Sequence, residues 1–482
     1  MIGRGLAVLA VLRVAFAVFV PVTPEEAYHW NFGQHLDWGY YDHPPMIAWA
    51  IRLGCVFFGD TALGIRSVPL LFALGTTALV ARLAERVHGK PAAGGAVVLL
   101  SVEPVLFLAG GGGYPDSPLL FFWALSMTLV WEALESGRGP LWIASGAALG
   151  AMGLSKYTGV FFGLAVLLHL ATSARDRKWL ATPWPYLACL VALVVMTPVF
   201  YWNATHDWAS FRFQAVERLS ESRPSRLYGF SYLAQQAGAV VPLTLPLAFV
   251  AIGQAWKSHR FYFWSFVPMV AFFFAVAWVR MVHLMWPLPA YLGLAVVMAG
   301  ATGRVAEFYA RRRAWLIGTF AAVFVGGVLH MTLFLPWISP IHDLYGWDAA
   351  AARAKEIRAE MAEGSFYLGL GRKYVCASQL AYRLRAPFEV HGKHLVGDEG
   401  LQYRFWADPA SLAGRDAVVV IEGADRADGL RRATAGHFAS LEPAGELEVR
   451  VGRRTLLEEP PVKFLFFKAR GYKPPVKADG GE

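Results

Sequence analysis

The sequence predicts a polytopic α-helical membrane protein that carries a small α/β domain outside the bilayer. Three observations predict it. Apolar runs near 18 residues or longer recur as far as about residue 335, the length that crosses a ~30 Å hydrocarbon core as helix. Of 482 residues, 56% are hydrophobic and only 16% charged, where soluble domains carry about 25% charged. After Pro336 the composition turns mixed, with short buried-strand patterns in place of long apolar runs.

Taken in order, the spans fall near residues 5–22, 62–81, 91–110, 117–134, 140–155, 157–172, 183–201, 228–253, 261–278, 285–302 and 315–335, eleven in all. The first run, about Leu6 to Val20, is followed by no small-residue cleavage site and reads as a retained span rather than a signal peptide. The stretch Leu141–Thr172 decides the parity. As one helix its 32 residues would measure about 48 Å, too long for the core even when tilted. Two shorter spans turning near Ser155-Lys156-Tyr157 fit better.

Charge tests that count. With Arg4 in the cytoplasm, the loops on its side hold Arg82, Arg86 and Lys90, then Arg138 beside Glu135, then Arg175, Arg177 and Lys178, then Lys257 and Arg260, then Arg304 and Arg311-Arg312-Arg313. The opposite loops hold Glu25, Glu26, Asp37, Asp42, Asp60 and Asp116. This is the positive-inside pattern, and one missed span would break it downstream. The net charge of +9 is thereby explained by orientation in the bilayer, and nucleic acid is not an expected partner. Segments Gly110–Asp116, Tyr201–Leu227 and Val279–Trp286 then face outward with the acidic motifs, and an odd count places the C-terminus outside. Domain boundaries follow at 1–338 for the membrane part and 339–482 for the outer domain. In the latter, strands are expected near Ser365–Leu370, Asp416–Glu422, Glu446–Val451 and Val462–Ala469, with helices near Tyr374–Leu384 and Arg426–Ala435. Cys55, Cys189 and Cys376 lie far apart and suggest neither a zinc cluster nor a disulfide framework.

The chemistry-bearing residues gather in the outer loops. Glu25 and Glu26 follow the first span among Tyr28, His29, Trp30, Tyr40 and Tyr41; a carboxylate desolvated by such rings is a better base. The plain alternative is a solvated acidic pair. Asp116 closes a run of four glycines, Gly110 to Gly113, which let another group approach the backbone. It also suits the N-cap of the next helix, with Pro118 in the first turn. Lys156 sits at a turn within an apolar stretch, where an ionisable group is a functional candidate or a snorkelling one. Arg280 and His283 lie together between two outward span ends, and His43 precedes two prolines. Lys156, Arg280 and His43 on one face with several carboxylates suit an anionic head group beside a general base. Glu26, Tyr41, Asp42 and His283 complete the set of candidate substrate-binding residues, with Glu25 and Asp116 the catalytic candidates. Trp30, Trp38, Trp49, Trp202 and Trp208 read mainly as interfacial aromatics.

An acidic pair after span one, a Tyr-Trp helix, Tyr40-Tyr41-Asp42-His43-Pro44-Pro45, and Pro115-Asp116 at the start of span four together resemble the membrane glycosyltransferases of the GT-C fold. The nearest group is glycosyltransferase family 39 with its bacterial relatives, the aminoarabinose-transferase-like and Rgt-type enzymes. The likeness covers about residues 1–335 and is most specific at Pro24–Trp49 and Tyr114–Pro118. It implies sugar transfer from a polyprenyl-phosphate donor to a lipid, glycan or protein acceptor, at the periplasmic face of a bacterial inner membrane, with inversion. Glu25 falls at the position of the family's catalytic acid/base, where relatives usually carry aspartate. Asp116 matches the second acidic residue, and Lys156 a lysine in the corresponding turn. His43 stands where the aminoarabinose transferase has a phosphate-binding lysine. Tyr28, Tyr40 and Tyr41 are expected to orient the acceptor. No cofactor is required, although Glu25, Glu26, Asp42, His43 and Asp116 include ligands suited to a divalent metal. A lipid-linked sugar transporter is the rival from another class, but internal repeats and polar midplane helices are not apparent.

Overall fold

The computed structural model describes residues 2–217, 225–239, 244–319, 321–322, 344–423, 426–449 and 462–475. The chain forms two compact units, Met1–Val18 with Asp37–Gly326, and Phe19–Leu36 with Gly327–Glu482.

The first unit is helical. Its leading elements are α1 (Ile2–Phe19); α2 (Pro24–Gln34) follows in sequence but belongs to the second unit; then come α3 (Met46–Phe58), α4 (Ala62–His88), α5 (Lys90–Val102), α6 (Pro104–Gly111), α7 (Asp116–Ser136), α8 (Pro140–Ser155), α9 (Val160–Thr172), α10 (Trp184–Val195) and α11 (Thr197–Thr205). Helices Arg226–Ala239, Leu245–Ser258, Arg260–Ala277, Ala290–Ala299 and Arg304–Arg311 follow. Among the described residues three helices, α4, α7 and Arg260–Ala277, are long and apolar enough to cross a membrane alone, and six candidates result if each of three helix pairs with a short break counts as one span. The shorter apolar helix α3 exposes Leu53, Val56 and Phe57 while Ile47, Ile51 and Cys55 are buried.

The expected turn at Lys156 is present. Helix α8 ends at Ser155, Lys156 is extended (φ −162°, ψ 139°), and a 3₁₀ turn over Tyr157–Gly159 leads into α9. Two expected single spans are instead broken. In 91–110, Pro104 lacks an N–H and forces Glu103 into an extended conformation (φ −92°, ψ 103°). The chain bends by 83° there, and the Glu103 carboxylate caps the new helix through the N–H of Val105 at 3.0 Å. In 183–201, α10 and α11 meet at 47° just before Pro198. The expected span 228–253 corresponds to two helices, with 240–243 outside the described residues, as is most of 315–335.

Close approach of α8 and α10 rests on glycine. A Cβ on Gly146 would lie 2.3 Å from the Ala188 carbonyl oxygen, and one on Gly150 would lie 2.5 Å from Val195 Cβ. Gly146 and Gly150 form the small-xxx-small face that lets membrane helices touch backbone to backbone. Two buried arginines of this unit donate to carbonyls: Arg66 Nη1 to Ala17 at 3.2 Å, and Arg13 Nη1 to Phe107 at 2.9 Å.

The second unit is an α/β domain built on a five-stranded sheet of order β2-β1-β3-β5-β4. The strands are β1 (Phe366–Leu370), β2 (Val390–His391), β3 (Ala417–Glu422), β4 (Phe438–Val449) and β5 (Val462–Tyr472). β1 pairs parallel with β2 and β3, while β5 runs antiparallel to β3 and β4. All of β1 and nearly all of β3 are buried, as their unbroken apolar runs require of central parallel strands. The expected strand at Glu446–Val451 starts earlier, at Phe438. Pro443 and Gly445 are absorbed by a register shift on this edge strand. Helix Trp347–Ala359 and the two-residue β2 were not expected from the sequence.

Candidate active site

The first unit gathers several of the sequence-derived candidates around one cavity of about 360 Å³. Asp42, His43, Lys156 and Arg280 line it, with Tyr157, Gln214 and Trp286. Phe161, Phe272, Phe273 and Val276 form an apolar wall. The cavity thus combines cationic side chains with a hydrocarbon-compatible surface.

Each polar group is placed by an identifiable local feature. The helix break puts Lys156 at the end of α8, and its ammonium donates to both carboxylate oxygens of Asp116, at 2.8 and 3.0 Å. Asp116 is the first residue of α7, one past the N-cap position Pro115, so it does not N-cap the helix as the sequence allowed, and its carboxylate faces Lys156 instead. The pair is nearly buried, with side chains 5% and 14% exposed, so each charge depends on the other. The expectation that four glycines admit a close neighbour holds in an unexpected way. A Cβ on Gly111 would lie 2.7 Å from Nη1 of Arg13, so the neighbour is a guanidinium of the fold.

His43 and Asp42 lie on a loop that its own aromatics hold in shape. The Asp37 N–H donates to the Tyr40 hydroxyl at 3.1 Å, and the Tyr40 N–H to the His43 carbonyl at 3.1 Å. Trp49 and Trp202 donate their indole N–H groups to the Asp37 carbonyl and carboxylate, at 3.1 and 2.9 Å. Gln214 donates to the Asp42 carbonyl at 2.9 Å. Tyr41 is fully buried, its ring 4.6 Å from that of Phe213. Arg280 follows the end of helix Arg260–Ala277 and lies 5.4 Å from the Trp286 ring centre, a cation–π distance. His283 is exposed, beside Trp286, and does not line the cavity. Gln214, Tyr157 and Trp286 were not singled out from the sequence. Their only signal was position, in or next to segments expected to face outward.

Glu25 and Glu26 are carried by α2 in the second unit. Thr23 caps this helix: its hydroxyl accepts the Glu26 N–H at 3.2 Å while the Glu26 carboxylate accepts the Thr23 N–H at 3.0 Å. This is a capping box, written in the sequence as Thr23-x-x-Glu26. Glu26 therefore has a structural task, and Glu25 stands half-buried beside it. Tyr28, expected to orient an acceptor, is buried and its hydroxyl accepts the Gln402 N–H at 3.1 Å. Among the described residues no group of three or more His, Cys, Asp or Glu side chains is arranged to hold a metal ion.

Residues 42–202 match the family described as dolichyl-phosphate-mannose-protein mannosyltransferase, a stretch that includes Asp42, His43, Asp116 and Lys156. The lipid A galacturonosyltransferase RgtD of Rhizobium johnstonii is 27% identical over 413 residues, covering 81% of this chain and 84% of that protein. Among solved structures, ArnT from Cupriavidus metallidurans superposes in its apo state with a TM-score of 0.67 at 16% identity, covering 96% of this chain and 97% of that one. Its complex with undecaprenyl phosphate gives 0.66 at 17%, covering 99% and 98%. The apo oligosaccharyltransferase of Archaeoglobus fulgidus gives 0.55 at 12%, covering 90% of this chain and 71% of that one. The structural likenesses show that this chain shares the fold of these membrane transferases, and both sequence likenesses are to glycosyltransferases.

Proposed function

We propose that the protein transfers a sugar from a polyprenyl-phosphate donor, of the undecaprenyl type, to a lipid, glycan or protein hydroxyl at the periplasmic face of the inner membrane. The observation that carries this reading is the convergence of His43, Lys156 and Arg280 on one cavity with an aromatic wall. A phosphate needs the cations, and an isoprenoid needs the wall. The relatives add support, since one is named for galacturonosyl transfer to lipid A and one was solved with undecaprenyl phosphate.

In the proposed reaction the acceptor oxygen attacks the anomeric carbon while Glu25 takes its proton. The bond from that carbon to the phosphate oxygen breaks, and its electron pair leaves with the polyprenyl phosphate. Negative charge then gathers on the phosphate, where Lys156 and Arg280 stabilise it, joined by His43 when protonated. Attack from the face opposite the leaving group inverts the anomeric centre. Asp116 acts through Lys156, holding the ammonium in place through its two carboxylate oxygens. Asp42 and Tyr41 shape the loop that presents His43. Glu26 and His283 are assigned to the edge of the substrate site, His283 from its exposed place beside Trp286. The associated topology has eleven spans, a cytoplasmic N-terminus and a periplasmic domain from about residue 339.

The test compares lipid and protein glycoforms, by mass spectrometry, in a deletion strain complemented with the wild-type chain or with Glu25→Gln. The wild type should restore a sugar that the variant, inserted at equal level, does not. Equal restoration by Glu25→Gln overturns the assignment of the base. Absence of any sugar difference between deletion and wild type overturns the transferase reading.

A further inference from the structure

The second unit offers no motif of its own, yet it holds the segment that carries Glu25. Within this unit α2 packs along the crossover helix Val375–Leu384. The grip has four contacts. Before Glu25, the side-chain amide of Gln379 donates to the Val22 carbonyl at 3.1 Å. One turn after Glu25, the Tyr28 ring stacks on Tyr374 with centroids 4.0 Å apart and planes within 3°. Beyond the helix, His35 stacks on Trp406 at 4.3 Å and 12°. Trp30 meets the edge of Tyr382 at 5.3 Å between these points. Gln379, Tyr28 and Trp30 are at most 1% exposed, so these contacts are packed interior rather than surface decoration.

We propose that the C-terminal α/β unit is a mount for the Glu25 helix, and that Tyr374 and Gln379 are positioning residues for the Glu25 carboxylate. The proposal rests on the reading of Glu25 as the general base. The physical need is geometric. A base must lie within hydrogen-bond reach of its proton in the reactive pose, and a displacement near 1 Å costs about 100-fold in rate. A short helix of eleven residues is marginal in isolation and takes its order from packing. The capping box fixes its first turn locally, and the Gln379, Tyr374 and Trp406 contacts fix where the whole helix lies within the unit. Stacked rings suit that task because they resist both sliding and tilting.

The experiment uses the full-length protein in lipid nanodiscs, with hydrogen exchange of residues 24–34 and steady-state transfer from a polyprenyl-phosphate sugar. Tyr374→Ala should raise exchange across α2 and lower kcat by about 10- to 100-fold, with the donor KM within about twofold of wild type. Tyr374→Phe keeps the stack and should restore both. Gln379→Met, of similar size, should lower kcat by about threefold to tenfold and decides the matter if Tyr374→Ala does not fold. Because the mount acts through Glu25, Tyr374→Ala placed on Glu25→Gln should add little further loss. Unchanged exchange in α2, unchanged kcat despite faster exchange, or a full additional loss in the Glu25→Gln background each overturns the proposal. If the wild type transfers no sugar at all, the transferase reading fails while the exchange arm still reports whether the unit holds α2.

Discussion

Glu25-Glu26 and Asp116 each stand just after a proline in the first turn of a helix, yet their carboxylates have different partners. Glu26 turns back on its own chain and closes a capping box with Thr23. Asp116 reaches across 40 residues to Lys156. A carboxylate satisfied by backbone three residues away serves the helix it starts. One satisfied by a distant, nearly buried cation ties two helices together, because removing either partner leaves the other buried and unpaired. The same sequence pattern, Pro then acid, is thus read correctly only when the partner is known.

The sharpest way to break this comparison is Glu25→Gln. It should cost two to four orders of magnitude in kcat with normal insertion and α2 exchange, measured by single-turnover transfer. A smaller loss would move the base elsewhere. Next comes Asp116→Asn, which strands the Lys156 charge and should destabilise the first unit by about 3 kcal/mol. Thermal unfolding in detergent would show it, and the double change Asp116→Asn with Lys156→Met should recover much of the loss. Equal midpoints for wild type and Asp116→Asn would mean that the pair is not a structural unit.

The second unit buries two histidines that the fold holds neutral. Burial, with Arg415 and His35 nearby, pushes His391 down to about 4. Burial beside His391 pushes His394 down to about 3. Unfolded chains bind these protons near pH 6.5, so the stability from both is intact above that value. It is lost as pH falls toward the folded values, by roughly 2–3 kcal/mol per histidine at pH 4.5. Near-ultraviolet circular dichroism from pH 7 to 4.5 should show an acid transition. His391→Gln with His394→Gln should flatten the pH dependence, whatever it does to stability at pH 7. The smallest effect is expected for Glu26→Gln, which keeps an acceptor for the Thr23 N–H and should change stability by under about 0.5 kcal/mol and leave transfer within a few-fold. A collapse of transfer at unchanged stability would show that Glu26 takes part in the reaction itself rather than standing at the edge of the substrate site.

Much of this was legible because it rests on length and charge. A 32-residue apolar stretch is too long for one span, so the break at Lys156 could be read, and with it a cation on the side of Asp116 and His43. The break at Glu103 was not read, because a single glutamate before Pro104 resembles an interrupted span rather than a new N-cap. Edge strand β4 was shortened for a similar reason: Pro443 and Gly445 signal a turn locally, and only pairing with β5 makes them a bulge. The contacts of Tyr28 with Tyr374 and Gln402 join residues more than 340 positions apart, and no periodicity encodes such a pairing. Gln214 and Trp286 were hidden likewise, since their role is set by the cavity they line.

The central claim is that His43, Lys156 and Arg280 form a phosphate site in an apolar-walled cavity. The most direct measurement is binding of undecaprenyl phosphate to the purified protein in nanodiscs, with undecaprenol as the phosphate-free control. Arg280→Gln should weaken phosphate-lipid binding by about 10- to 100-fold, the worth of one charge-assisted hydrogen bond, and leave undecaprenol binding unchanged. Equal affinity of wild type and variant for the phosphate lipid, or a parallel loss for undecaprenol, would contradict the account.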